Sequence, residues 1–108
     1  MKLIIGIVSS DDTSPVLSAL TKAGFSATKL STSGGFLRAG NTTLLVGTED
    51  ERVKDVLSVF ENESSKRTEL APSTPPFAGE GFMSSTPIPV TAGGATVFVL
   101  AVDQFFKY

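Results

Sequence analysis

The residues best suited to chemistry lie in one short stretch, from Thr28 to Thr43, which reads as a strand, a glycine turn and a second strand. The Gly34–Gly35 pair allows positive φ angles and lets backbone N–H groups come close to a ligand. Successive N–H groups in such a turn form a concave anion site, and the neighbouring Phe36 offers a face on which a nucleotide base can stack. Arg38 and Asn41 add a cation and an amide nearby. This spacing predicts a nucleotide-type pocket on a hairpin rather than a catalytic centre.

The composition restricts the classes of enzyme that the chain can represent. Its 108 residues include no histidine and no cysteine, so imidazole and thiolate chemistry are excluded, as are metal sites that depend on either residue. Serine and threonine nucleophiles need an activating base, and the lysines and carboxylates present stand in no recognisable motif. We expect a protein that is not an enzyme and that needs no metal or cofactor, with a small hydrolase as the last-ranked alternative.

Charge and hydropathy limit the partners and the location. The net charge of −2 argues against sequence-independent binding of nucleic acid, which needs a basic surface. The apolar run Leu3–Val8 is too short to span a bilayer and lacks a signal-peptide cleavage site, and the absence of cysteine fits a reducing compartment. With 41% hydrophobic residues, the expectation is a single globular domain over residues 1–108, cytoplasmic and without membrane insertion.

The apolar pattern of the first half predicts a strand, a helix and a hairpin. Residues 2–8 are rich in Ile and Val, as in a strand buried on both faces. Pro15 suits the first helical position and Gly24 the end of the helix. The hairpin strands are predicted at 25–32 and 41–47, joined by a tight connection at 33–40. We expect their residues on or near the core to be Phe25, Ala27 and Leu30.

The second half predicts a helix, a short strand, a long loop and a last strand. Thr48-Glu-Asp-Glu51 matches a capping box, and the apolar stripe that follows is typical of a core-facing helix, with Val53, Val56, Leu57 and Phe60. A short strand is predicted at 66–70. Five of the six prolines then fall between 71 and 91, which predicts a long flexible loop over 71–92, with some β-hairpin content compatible with it. Residues 95–102 are β-branched and predict the final strand.

This order of elements predicts an α+β domain of the ferredoxin-like βαββαβ type. Both helices would lie on one face of a four-stranded antiparallel sheet. The strands are apolar enough that the other face should be covered, which favours an oligomer. The aromatic C-terminal residues 103–108 should pack against the domain or a neighbouring subunit.

Several motifs, in the same order along nearly the whole chain, resemble the PII-like cyclic-di-AMP receptors, also called the PstA or DarA family. The segments that carry the resemblance are Met1–Ile5, Ala27–Leu30, Gly34–Thr43, Asp50–Val53 and Gly93–Val99. The resemblance implies a PII-like homotrimer that binds cyclic di-AMP between neighbouring subunits. It implies a non-enzymatic bacterial signalling receptor whose long loop changes its state with the ligand to regulate a downstream protein of unknown identity.

The resemblance also assigns candidate ligand contacts. Thr28 and Asn41 would hydrogen-bond adenine edges, and Gly47 would permit close approach from the third strand. Phe98 of an adjoining subunit would pack against the other base. Base and phosphate would be contacted by the backbone of Gly35, Phe36 and Leu37, and the candidate set is completed by Ser26, Ala27, Arg38, Gly93 and Gly94.

Taken alone, these residue types also fit structural roles. The glycine pair is common in plain hairpin turns, Thr28 suits any strand, and Asn41 favours turn geometry. Phe98 fits a core position on strand pattern. The combination with the matching motifs favours the ligand site.

Three positions depart from the family pattern. Ser26 stands where the family usually has an arginine, which offers a planar cation that serine lacks. Lys107 stands where many members have a glutamine, and Tyr108 replaces a terminal phenylalanine. These departures keep open a partner-binding trimer that has lost its ligand. The long segment before the last strand could supply phosphate ligands and keeps open a PII-type sensor of ATP or another nucleotide, although the short loop between the second and third strands disfavours it.

Overall fold

A computed structural model describes residues 1–30, 40–72 and 87–108. These residues form six strands and two helices, and a 3₁₀ turn precedes each helix, at Ser10–Asp12 and at Asp50–Arg52. The helices are α1 (Thr13–Lys22) and α2 (Val53–Ser64). The strands are β1 (Lys2–Ser9), β2 (Ala27–Leu30), β3 (Asn41–Thr48), β4 (Arg67–Pro72), β5 (Pro87–Ala92) and β6 (Ala95–Ala101).

Four strands form the main sheet in the order β2–β3–β1–β6, and every neighbouring pair is antiparallel. The inner strand β1 pairs with β3 on one side and with β6 on the other, so Ile4 lies opposite both Val46 and Val99. With α1 between β1 and β2 in the chain, and α2 between β3 and the last strand of the sheet, this is the ferredoxin-like arrangement. The predicted fold class is confirmed.

Both helices pack against one face of this sheet. Side chains of a strand alternate between its two faces, and the buried positions of β1 are Ile4 and Val8 with Gly6 between them. A Cβ at Gly6 would overlap the ring of Phe60, so the glycine lets α2 lie close to the sheet. The core consists of apolar residues from β1, β3 and both helices together with Phe25: Ile4, Val8, Val16, Leu20, Phe25, Leu44, Val46, Val56 and Phe60.

The opposite face of the sheet, here called the open face, is also apolar. It carries Leu3 and Ile5 of β1, which alternate with the core positions, and their β6 partners Leu100 and Phe98. Phe98 is 52% exposed and Leu100 45%, so the described part of the chain leaves this face largely uncovered. Leu30 lies here as well and is 38% exposed. Its predicted place near the core is wrong, because the alternation along β2 turns it away from the helices.

Helix α1 ends at the predicted glycine. Gly24 has a φ of +89°, and its N–H donates to the carbonyl of Thr21 at 3.0 Å, while the N–H of Phe25 donates to that of Leu20 at 2.9 Å. These two bonds form a Schellman motif, for which a glycine in the left-handed region is the common solution.

Helix α2 begins without the predicted capping box. Thr48 is still part of β3, where it lies opposite Lys2. The 3₁₀ turn that follows has Glu49 at its N-cap, with no side-chain capping hydrogen bond. The capping prediction is wrong because strand pairing holds Thr48 in the sheet. The predicted core stripe is present, with Val56 and Phe60 buried.

Strands β4 and β5 form a separate two-stranded antiparallel sheet, here called the arm. The strand predicted at 66–70 is therefore present, and both ends of the segment predicted as the long loop 71–92 lie in this β-hairpin. Residues 71–72 belong to β4 and 87–92 to β5, and residues 73–86 lie outside the described part of the chain. Prolines concealed β5 from sequence reasoning. In a two-stranded sheet both strands are edges, and an edge strand tolerates Pro87 and Pro89 where no N–H is needed.

Two contacts fix the base of the arm to the rest of the domain. The N–H of Gly94, just after β5, donates to the carbonyl of Ser64 at the end of α2, at 2.6 Å. The guanidinium of Arg67, the first residue of β4, pairs with Asp12 in the turn before α1, at 2.8 Å.

Candidate functional site

One row of residues crosses the open face from edge to edge. The strand register places Thr28 of β2 opposite Leu45 of β3, Leu45 opposite Ile5 of β1, and Ile5 opposite Phe98 of β6. Three strand spacings separate the two ends of this row, which is about 14 Å. Thr28 and Phe98 of one chain therefore share a face but lie too far apart to hold the same base.

A cavity of about 290 Å³ opens on this face near the Thr28 end of the row. It brings together three of the predicted ligand residues, Ser26, Thr28 and Gly47. We call it the tail cavity, because the residues after β6 form part of its wall. Its complete lining is Met1, Leu3, Ser26, Thr28, Leu45, Gly47, Val102 and Phe105.

The lining of the tail cavity is mostly apolar and includes two hydroxyl groups. Its walls are mostly aliphatic or aromatic, and its polar side chains are the hydroxyls of Ser26 and Thr28. Small-molecule sites are commonly apolar with a few polar groups that fix orientation. The volume lies at the small end for such sites, so it suits one base rather than a whole dinucleotide.

Gly47 leaves the floor of this cavity open. It pairs with Leu3 across the sheet and is exposed, and a Cβ placed on it would meet only the end of the Met1 side chain, at 3.4 Å. The absence of a side chain here therefore serves access to β3 rather than the packing of the core.

No charged side chain belongs to the described lining of the tail cavity. The nearest ion pair joins the Met1 amino group to Asp50 at 2.8 Å. This hydrogen bond lowers the pKa of Asp50 below its usual value, so the charge of Met1 is already paired with a carboxylate. An arginine in place of Ser26 would bring a cation to this cavity.

A second group of predicted residues lies at the other end of the sheet. Asn41 is opposite Ser9. It lies four residues before Leu45 in β3, and Leu45 is the residue opposite Thr28, so about 14 Å along the strand direction separates Asn41 from Thr28. Together with Gly93 and Gly94 it lines a larger cavity of about 650 Å³ at the base of the arm. One chain therefore presents two separate patches, and Thr28 and Asn41 do not converge within it.

The remaining predicted residues fall into two groups. Ala27 is opposite Val46 and packs against the core, so it faces the helices rather than the tail cavity. Phe98 stands on the open face but lines neither of the two cavities. Gly35, Phe36, Leu37 and Arg38 lie outside the described residues.

Sequence reasoning did not single out several residues of the tail cavity. Leu3 and Leu45 could have been found from strand alternation once the register was known. Met1, Val102 and Phe105 could not, because they meet only after β6 has paired with β1. The N–H of Val102 donates to the carbonyl of Met1 at 3.2 Å, which brings the two ends of the chain together.

The described residues were also searched for other kinds of site. They contain no group of three or more acidic residues placed to hold a metal ion. Nor do they include a helix with the length and apolar character needed to cross a membrane.

The family model of cyclic-di-AMP receptors matches residues 1–108. The chain belongs to this family. A solved structure with a similar fold is that of a functionally unknown protein from Pediococcus pentosaceus ATCC 25745, which is 42% identical and superposes with a TM-score of 0.79. The match covers 99% of this chain and 96% of that one.

Family membership confirms the resemblance seen in the sequence motifs and supports cyclic di-AMP as the ligand. Membership of a receptor family also suggests a binding role.

Proposed function

We propose that this protein is a non-enzymatic bacterial signalling receptor that binds cyclic di-AMP at the contacts between the subunits of a homotrimer in the cytoplasm. The observation that carries this proposal is the row across the open face. Thr28 at the β2 edge and Phe98 at the β6 edge are both ligand candidates, yet about 14 Å separates them within one chain. This separation fits a site in which the β6 edge of one copy approaches the β2 edge of another, so that Thr28 and the neighbour's Phe98 each hold one base of the same ligand.

The apolar open face supports the same assembly. Phe98 and Leu100 are half exposed, and the partly exposed Leu3 and Ile5 lie beside them. Continuous apolar surface of this kind marks an interaction site in soluble proteins. In a closed ring each copy uses its two sheet edges once, which yields identical sites between neighbours.

The arm is the element through which ligand binding would reach a partner. It starts and ends beside the second cavity, where Asn41, Gly93 and Gly94 lie. A ligand that binds one position of the arm better than another shifts the population between them. Regulation of a downstream protein follows if that protein docks on the arm.

Isothermal titration calorimetry with cyclic di-AMP, cyclic di-GMP and ATP tests the ligand. We expect saturable heat with cyclic di-AMP at one site per subunit, and the mass of a trimer by light scattering. The variant Thr28→Val removes one hydroxyl at constant shape and should weaken binding, whereas Thr68→Val on the arm serves as a matched control. Saturable heat with ATP alone would assign the protein to mononucleotide sensing, and no heat with any nucleotide would leave a partner-binding protein that has lost its ligand.

A further inference from the structure

The C-terminal segment after β6, residues 102–108, crosses the end of the sheet. In the main sheet β6 is the edge strand next to β1, so β1 lies between β6 and the other two strands, β3 and β2. Val102 is held beside β1 by its hydrogen bond to Met1. Phe105 nevertheless lines the same cavity as Gly47 of β3 and Ser26 just before β2. The segment therefore passes over the end of β1, and Phe105 reaches the far side.

Phe105 differs from the other aromatic residues of this segment. Phe106 and Tyr108 stack on each other, with ring centroids 6.4 Å apart and planes inclined by 14°, and neither lines the tail cavity. Phe105 does line it, and yet 62% of the residue is exposed and it is absent from the core. Such a ring contributes little to folding, while its free face is available to stack on a base.

We propose that Phe105, in the wall of the tail cavity, is the residue on which a base stacks there. Thr28 then presents its hydroxyl to the polar edge of the stacked ring, and Gly47 lets the ring approach β3. This inference deepens the proposed function and rests on it for the identity of the base as an adenine. It adds a ligand residue that the motif-based set, with Phe36 and Phe98 as its aromatic members, does not contain.

Tryptophan fluorescence tests the contact directly, since the chain contains no tryptophan. The variant Phe105→Trp places a single indole in the cavity wall, and Phe106→Trp places one on the neighbouring ring as a matched control. On titration with cyclic di-AMP we expect saturable quenching of the first indole, with a midpoint equal to the calorimetric Kd, and little change in the second. Circular dichroism confirms that both variants are folded.

Affinity provides the second readout. Phe105→Ala should weaken cyclic di-AMP binding about tenfold or more, because stacking of one base on an aromatic side chain accounts for an effect of that order. Phe106→Ala should leave affinity within about twofold of wild type, and Phe105→Tyr should restore most of it.

The outcomes separate the two proposals. If wild type binds cyclic di-AMP while the Phe105→Trp signal stays constant and Phe105→Ala binds as wild type does, the role of Phe105 is overturned and the receptor function stands. If wild type fails to bind cyclic di-AMP, the receptor function is overturned and the assignment of Phe105 to adenine stacking falls with it.

Discussion

Arg67, the first residue of the arm, holds both carboxylate oxygens of Asp12 with the two terminal nitrogens of its guanidinium. The Nη2–Oδ1 distance is 2.8 Å and the Nη1–Oδ2 distance is 3.2 Å. The Asp12 side chain is only 5% exposed, so this carboxylate depends on its partner for the interactions that water would otherwise supply. The pair links the turn that follows β1 to the base of the arm.

Replacement of Arg67 by lysine should loosen the arm. A lysine ammonium cannot present two parallel donors to both oxygens of Asp12, so we expect a lower Tm and faster hydrogen exchange of the arm amides in β4 and β5. Asp12→Asn should have the same effect. Glu69→Gln is the control, because it removes the exposed partner of the same guanidinium (Nε–Oε1, 2.8 Å) and should change little. Equal effects of all three variants would contradict a specific role for Asp12.

The charge of Arg67 makes this link insensitive to mild alkali. Hydrogen bonds to Asp12 and then Glu69 raise the pKa of Arg67 above its usual value. A raised folded-state pKa contributes stability that is fully present below the unfolded-state pKa of arginine, which lies far above neutral pH, and that stability is lost as the pH rises through the folded-state pKa. Between pH 7 and pH 9 we therefore expect no difference between wild type and Arg67→Lys in the slope of Tm against pH. A clear difference in slope would show that another titrating group controls the link.

Gly93 should tolerate alanine less well than Gly94. Both have positive φ, +78° and +98°, so alanine costs about 1–2 kcal/mol of strain at either position. At Gly93 the new Cβ would also overlap Nη1 of Arg67 and lie 2.8 Å from the carbonyl oxygen of Ser65, whereas at Gly94 its nearest neighbour is the Cβ of Lys66 at 3.8 Å. Denaturant unfolding should show the larger loss for Gly93→Ala. Equal losses of unfolding free energy in the two variants would mean that backbone strain alone accounts for the destabilisation.

The framework of the fold was predictable because its signals are local. The apolar run of β1, the stop at Gly24 and the stripe containing Val56 and Phe60 each specify an element within a few neighbouring residues. Strand order then followed from the sequence of elements. The prediction for Thr48 failed where a local helix signal competed with pairing to Lys2, a partner distant in the chain.

The site was less predictable because its parts are distant in sequence. Asp12 and Arg67 are 55 positions apart, and no pattern in either segment indicates the other. Phe105 enters the tail cavity only because β6 pairs with β1 and brings the two chain ends together. The resemblance proposed both Thr28 and Gly47, which line the tail cavity together, but it could not tell that Thr28 and Asn41 lie at different levels of the sheet.

Alanine at Gly6 and at Gly47 should separate folding from binding. At Gly6 the new Cβ would overlap the buried ring of Phe60, and overpacking of this kind costs about 1–3 kcal/mol. At Gly47 it meets only the flexible end of Met1, so Tm should stay near that of wild type while cyclic di-AMP affinity falls about tenfold, or 1.4 kcal/mol. Thermal melts and calorimetry on both variants check this. An unchanged affinity in Gly47→Ala would show that the ligand does not approach β3 at this position.

Arg52 should stabilise the junction between the two helices. Its Nη2 donates to the carbonyl of Ala23 at the end of α1, at 2.7 Å, and its guanidinium lies 4.0 Å from the centre of the Phe25 ring. Arg52→Ala should lower the free energy of unfolding by about 1 kcal/mol. Lys54→Ala removes the same charge from an exposed position of α2 and should have a smaller effect. Equal losses in the two variants would show that the removed charge, and not these contacts, accounts for the loss of stability.

Arginine at position 26 should strengthen ligand binding. Ser26 lines the tail cavity, whose described lining has no charged side chain, and cyclic di-AMP brings two phosphates to the site. A guanidinium at its rim can form bidentate bonds with a phosphate and can stack on a base, so Ser26→Arg should bind severalfold more tightly. Part of this gain in affinity is electrostatic. It should therefore shrink as the salt concentration is raised from about 0.05 to about 0.5 M, because salt screens the attraction between exposed charges.

The control for this substitution is Ser58→Arg, which changes the net charge equally but places the arginine on the exposed side of α2. If both variants gain equally, long-range attraction explains the effect and position 26 has no special role. If Ser26→Arg alone gains, the cation acts at the cavity.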